Sequence, residues 1–302
     1  MRRSARLAAL WSAGALAGSL TLAGCGLGAG RVTPSPLPPL APTATVSALP
    51  ATAAPAAAPT PACTETTGQV IQDSYPGMLV DGEVPYRIYL PACATATGER
   101  LPVLYLFHGY PFDESHWDAT LGIDEMVEAW IQANQAPRFA LVMPRVPEPL
   151  FTGPQSGGPG SYEAEMLQGL LPSVEAKYPV STSSEQRAIA GISRGGVWSL
   201  EIGMRHPEVF AAVAALSPAL SVNYAPPKYD PLALAGGTAP LPERFYLAAG
   251  ATDWARPESE KLAEALQARG TPVELEIVPG GHDADAWIAA FPGLLTYVLD
   301  GW

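Results

Sequence analysis

The stretch Gly191-Ile192-Ser193-Arg194-Gly195-Gly196 constrains the fold of this chain more than any other. It lies between a short apolar run at 187–190 and a segment of helical pattern at 197–205. A serine among glycines at a strand-to-helix junction suits a sharp, strained turn. Strand and helix can approach closely there only if bulky side chains are absent. Such a turn presents the serine oxygen at the carboxyl edge of a sheet. The surrounding sequence agrees. Residues 84–90 alternate and are rich in β-formers, and 103–107 and 139–143 are continuous apolar runs, as expected of strands covered on both faces. Further strand-like runs fall at 210–216, 244–248 and 273–278. Helical spacing appears at 123–132, at 162–177 with Pro172 at a kink or break, at 257–268 and at 284–299. Strands alternating with helices predict an α/β fold, a doubly wound, mostly parallel sheet with helices on both faces, built as one domain over 63–302.

The first 62 residues follow different rules. Arg2, Arg3 and Arg6 precede an apolar, small-residue run at 7–22, which reads as an export signal over 1–24. The run ends Leu22-Ala23-Gly24-Cys25, which resembles the bacterial lipobox. That resemblance implies cleavage before Cys25 and lipidation of its thiol. Residues 25–62 then form a tether. Positions 26–62 hold no aromatic residue and one charge, Arg31, so they cannot bury enough surface to offset their ordering entropy. Pro-rich chain rises ~3.1 Å per residue, which gives the tether a reach of up to roughly 100 Å. In an exported protein, Cys63 and Cys93 are expected to form a disulfide, worth about 3–4 kcal/mol in the chain-entropy model.

A serine hydroxyl needs a base to act as a nucleophile near neutral pH. The chain has four histidines. His108 ends a strand, His116 lies in a polar loop and His206 closes a helix. Only His282, in Pro279-Gly280-Gly281-His282-Asp283, follows the last strand. The order nucleophile, acid, base is the one used on doubly wound sheets. Asp253, directly after the run at 244–248, is the candidate acid. Glu258 is its main competitor, in the first turn of the next helix, where acids are common for capping reasons. Asp283 is expected to organise the loop of His282. The oxyanion of acyl transfer needs backbone N–H donors, and those of Tyr110 and Arg194 are the candidates.

Phe107-His108-Gly109-Tyr110 with Trp117, Gly191–Gly196, Gly250-Ala251-Thr252-Asp253 and Gly281-His282-Asp283 with Trp287 together resemble the esterase D-like esterases. That α/β-hydrolase family includes enterochelin, feruloyl and acetyl-xylan esterases and the mycolyltransferases. The resemblance covers about residues 80–300. It implies a triad of Ser193, Asp253 and His282, an oxyanion hole at Tyr110 and Arg194, and cleavage or transfer of an ester without metal or cofactor. Its substrate would be a small-molecule or glycan-linked ester. Arg194 departs from the family pattern, in which Met or Gln is frequent after the nucleophile. Its side chain is open to two readings, contact with an anionic substrate or a solvent-facing or salt-bridged arginine.

The Gly- and Pro-rich segment 144–160 is expected to border the pocket, and Tyr110, Trp117 and Trp254 are candidates to stack on an aromatic or sugar ring of the substrate. With 29 acidic and 17 basic residues and a net charge of −12, the chain lacks the basic footprint of a nucleic-acid binder. Its three cysteines offer no CxxC metal spacing. Two other functions stay open at this point: an acyltransferase of the mycolyltransferase type, and a binding lipoprotein without catalysis. Nothing in the sequence fixes an oligomeric state.

Overall fold

The structure, a computed structural model, describes residues 63–151 and 157–302. The signal, Cys25 and the tether lie outside the described residues. Eight strands form one sheet: β1 (Gln69–Pro76), β2 (Glu83–Leu90), β3 (Val103–Phe107), β4 (Ala140–Pro144), β5 (Arg187–Ile192), β6 (Ala212–Leu216), β7 (Arg244–Gly250) and β8 (Val273–Val278). Their spatial order is β1-β2-β4-β3-β5-β6-β7-β8. β2 runs antiparallel to β1 and β4, and every other pairing is parallel. β3 to β6 are buried along their whole length, which is why they read as unbroken apolar runs.

Side chains alternate across this sheet. Val103, Tyr105 and Phe107 enter one core with Ile189 and Val213, while Leu104 and Leu106 enter a second with Ala190 and Ala214. Helices cover both faces. The second core is closed by α1 (Ile123–Gln132) and α7 (Ala284–Val298), through Ile123, Val127, Phe291 and Leu294. The first core is closed by α2 (Tyr162–Glu165), α3 (Leu171–Lys177), α4 (Ser193–Arg205), α5 (Pro231–Ala235) and α6 (Arg256–Ala268). This is the doubly wound α/β-hydrolase arrangement that the sequence predicts.

Differences in detail have local causes. The break expected at Pro172 is a π-helical turn, Met166–Leu170, that places the proline in the first turn of α3, where no N–H is needed. β1 escapes the sequence reading because its outer position leaves most of its residues half or fully exposed, so it carries no apolar run. α4 starts at Ser193 rather than 197, since Gly195 and Gly196 continue the helix. The Cys63–Cys93 disulfide is present, with Cα atoms 5.7 Å apart. It lies just beyond the end of β2. Because Tyr89 pairs with Leu141, that end abuts the start of β4. The bridge is thus at the amino edge of the parallel strands, opposite the edge where Ser193 leaves β5.

Candidate active site

Ser193 links β5 to α4 with φ +52°, a left-handed backbone that an L-residue adopts only under constraint. The constraint comes from the flanking glycines. A Cβ on Gly191 would lie 2.5 Å from the Gly195 carbonyl, and one on Gly195 would lie 2.3 Å from the His108 carbonyl oxygen. Only glycine lets the first turn of α4 settle onto the ends of β3 and β5.

The loop after β8 delivers His282. Gly280, at φ +112°, begins the turn, and Asp283 closes it by accepting from the N–H groups of Gly281 and Ala286, the latter as N-cap of α7. Asp283 therefore organises this loop, as the sequence implies. The loop after β7 is zipped to it. The N–H and hydroxyl of Thr252 both donate to the Gly280 carbonyl, at 3.0 and 2.9 Å. Asp253 and His282 are thereby held together. His282 Nδ1 lies 2.9 Å from Asp253 Oδ1, and His282 Nε2 lies 2.9 Å from Ser193 Oγ. The Asp253 side chain is fully buried. Burial raises its pKa, but interactions with His282, the Ser217 hydroxyl and the Ala255 N–H outweigh this and hold the carboxyl below its ordinary value. The ionised acid fixes a proton on His282 Nδ1, which leaves Nε2 free to accept from the serine. Glu258, the competing acid, lies in the first turn of α6 and pairs with Lys261 at 3.2 Å.

Gly109 lies directly against the nucleophile, where a Cβ would stand 3.2 Å from the Cβ of Ser193. The next peptide unit carries the Tyr110 N–H. Its carbonyl end, on Gly109, is pinned by the Phe112 N–H at 2.9 Å and by His108 Nδ1 at 3.1 Å. His108 Nε2 accepts from the Val146 N–H at 3.0 Å, so the ring proton resides on Nδ1. Burial depresses the His108 pKa to about 4, and the ring stays neutral. His108 is therefore a strut beneath the Gly109–Tyr110 peptide, not a second base. The other candidate donor, the Arg194 N–H, belongs to the first turn of α4, where amides have no partner within the helix.

The Arg194 side chain is half-buried and hydrogen-bonded. Its guanidinium donates to the Phe151 carbonyl at 3.3 Å and to Asn223 Oδ1 at 3.1 Å, and it lies over the Trp198 ring. It ties the loop after β4 to the loop after β6. Trp117 does not line the site. It is fully buried, with its ring 5.7 Å from Phe291, because the π-helical turn His116–Thr120 directs it under α7. Trp254 is 48% exposed and stacks on His282. Tyr110, Phe112 and Tyr224 are the other exposed aromatics near these loops. His116, read as a loop residue, is buried and stacked on Phe112 at 3.7 Å. Sequence reasoning missed Ser217. The signal in the sequence is Ser217-Pro218 directly after the apolar run at 210–216; in the structure the serine has φ +49°.

The loop after β4 does border the site. Arg145 pairs with Glu114 at 3.2 Å, and the Phe151 ring lies 5.0 Å from His108 and 6.0 Å from Tyr110. On its return, the Gly158 N–H donates to Glu163, which also receives Arg205 and His206. Glu201 is buried nearby, and neither of its oxygens has a hydrogen-bond partner among the described residues. Burial, with repulsion from Glu163, raises its pKa to about 8. The folded state therefore holds a proton that the unfolded chain releases near its ordinary value of 4.5. Stability should fall as pH rises through this window and level off above it. Glu201→Gln removes that titration. Relative to wild type, it is expected to gain roughly 2–4 kcal/mol by pH 8 and little at pH 4. Urea unfolding at the two pH values checks this. Parallel losses in both proteins would place the titration elsewhere.

A family model described as Putative esterase matches residues 78–298. The chain belongs to that family. Among curated proteins, it is 28% identical over 213 residues to an endo-1,4-beta-xylanase/feruloyl esterase of Xylanibacter ruminicola, a match covering 67% of this chain and 27% of that protein. It is 25% identical over 224 residues to the iron(III) enterobactin esterase of Escherichia coli K12, covering 72% and 53%. The chain thus spans between about a quarter and a half of the length of these two relatives. Among solved structures it resembles a ferulic acid esterase, with TM-score 0.69 and 21% identity, covering 78% of this chain and 99% of that one. An S-formylglutathione hydrolase of Staphylococcus aureus aligns with TM-score 0.64 and 18% identity, covering 77% and 99%. These two likenesses concern the fold.

Proposed function

We propose that this protein is a serine carboxylic ester hydrolase, lipid-anchored outside the cytoplasmic membrane through Cys25. The observation that carries the catalytic reading is the unbroken Ser193–His282–Asp253 chain, with both contacts at 2.9 Å. Ser193 Oγ attacks the ester carbonyl carbon as His282 Nε2 takes its proton. The carbonyl oxygen becomes an oxyanion, held by the N–H groups of Tyr110 and Arg194. Collapse breaks the bond to the alkoxy oxygen, and His282 returns the proton to the departing alcohol. Water, deprotonated by the same imidazole, then cleaves the acyl-enzyme and frees the acid and Ser193. The exposed rings of Tyr110 and Trp254 suit an aromatic acyl group or a sugar face beside the scissile bond. The substrate class is a small-molecule or glycan-linked ester.

A fluorophosphonate probe should label Ser193 alone, and hydrolysis should be seen within a panel of feruloyl, acetyl-sugar, short-acyl and siderophore esters. A wild-type protein inert to both would overturn the reading. The location rests on the n-region, the apolar run and Leu22-Ala23-Gly24-Cys25, and the disulfide is consistent with an oxidising compartment. Mass spectrometry of the mature protein is expected to find a lipidated Cys25 at its N-terminus. Cys25→Ala should release or mislocalise the enzyme with its specific activity on soluble esters unchanged. A mature protein whose Cys25 carries no lipid would refute the anchor.

A further inference from the structure

Two hydrogen bonds hold the imidazole of His282, one at each nitrogen. Together with the Cβ–Cγ bond they set the plane of the ring, and two aromatic rings pack against it. The indole of Trp254 lies against one face, with ring centroids 4.4 Å apart and planes 29° from parallel. Trp287 meets the imidazole edge-on at 5.5 Å and 87°. Behind Trp287, His116 makes a second edge contact at 6.2 Å and is itself stacked on Phe112. The imidazole thus touches one half-exposed ring, Trp254, and one buried ring, Trp287.

We infer that Trp254 is a positioning residue for His282, covering one face of the ring and stabilising the imidazolium that forms as Ser193 attacks. This inference rests on the serine-esterase reading. Its physical basis is that an indole face attracts a cation, and that the attraction grows where water is excluded. His282 is neutral when substrate binds and charged in the transition state. The interaction therefore strengthens during the reaction, and its loss should appear in kcat and not in KM. A wall that merely contacts substrate would behave in the opposite way.

The test uses a small acetyl ester, which has no ring to stack. Trp254→Ala should lower kcat about tenfold with KM within twofold of wild type. Trp254→Phe keeps a π face at the same position and should stay within about threefold of wild-type kcat. Because Trp254 is half-exposed, both variants are expected to fold, which circular dichroism checks. In the proton NMR spectrum, the carbon-bound ring protons of His282 should lie upfield in wild type and move downfield in Trp254→Ala. A raised KM with unchanged kcat in Trp254→Ala would overturn the inference, as would a Phe variant as slow as the Ala variant or a missing upfield shift. A wild-type protein inert to every ester would bring down the esterase reading and this inference together. An active wild type matched by Trp254→Ala would bring down this inference alone.

Discussion

Ser193→Ala is expected to abolish ester hydrolysis and leave the fold in place. The hydroxyl makes one contact of consequence, to His282, and supports no part of either core. Nucleophile, base and acid act as a unit, so Ser193→Ala and His282→Ala should each cost ~10⁴–10⁶ in kcat, and the double variant little more. Steady-state rates of the two single variants and the double variant test this. Independent losses that multiply would show that the two side chains do not work together, and a fully active single variant would remove the assignment. A stability measurement adds a second check. Because Ser193 has φ +52°, the turn stores backbone strain that any L-residue feels. Ser193→Gly should relieve it and unfold at higher denaturant than Ser193→Ala, by about 1 kcal/mol.

The parts of this site legible in the sequence are those fixed by backbone sterics and chain order. Gly191 and Gly195 announce the turn because no other residue fits beneath β3 and β5. His282 is identified by its place after the last strand, and Asp253 by its place after β7. Side-chain direction is where the reading fails. Trp117 and Trp254 look alike as aromatics beside catalytic segments. One is turned into the core by a π-helical turn that no apolar period announces, and the other is left against the imidazole. Arg194 was ambiguous for a related reason. Its partners, the Phe151 carbonyl and Asn223, come from loops 43 and 29 residues away, and only the folded chain brings them together. β1 was invisible because an edge strand need not be apolar when pairing with β2 supplies its hydrogen bonds. Buried Glu201 carries no sequence signal at all, since a charged letter within a helix ordinarily marks a solvated face.

Asp253→Asn should lower kcat by roughly 10⁴ with the fold retained, a loss comparable to removing the base. The geometry sets this expectation. Asp253 Oδ1 accepts from both the Ala255 N–H, at 2.8 Å, and His282 Nδ1, at 2.9 Å. In the asparagine variant, one terminal atom remains an acceptor and the other becomes an NH₂ donor. If the acceptor stays on Ala255, no negative charge faces the imidazolium as it forms. If the amide turns over, its NH₂ group meets Nδ1 and favours the tautomer with the proton on Nε2. That nitrogen then points a hydrogen at Ser193 Oγ and cannot take the serine proton. Both outcomes spare packing, because Asn and Asp fill the same buried volume. Glu258→Gln supplies the control. Its carboxylate lies in the first turn of α6, paired with Lys261 on the surface, and the change should cost a few tenths of a kcal/mol in stability and almost nothing in rate. Paired kcat measurements on the two variants decide between the acids. A wild-type rate in Asp253→Asn beside a dead Glu258→Gln would move the acid into α6, against the 2.9 Å contact that now places it at the end of β7.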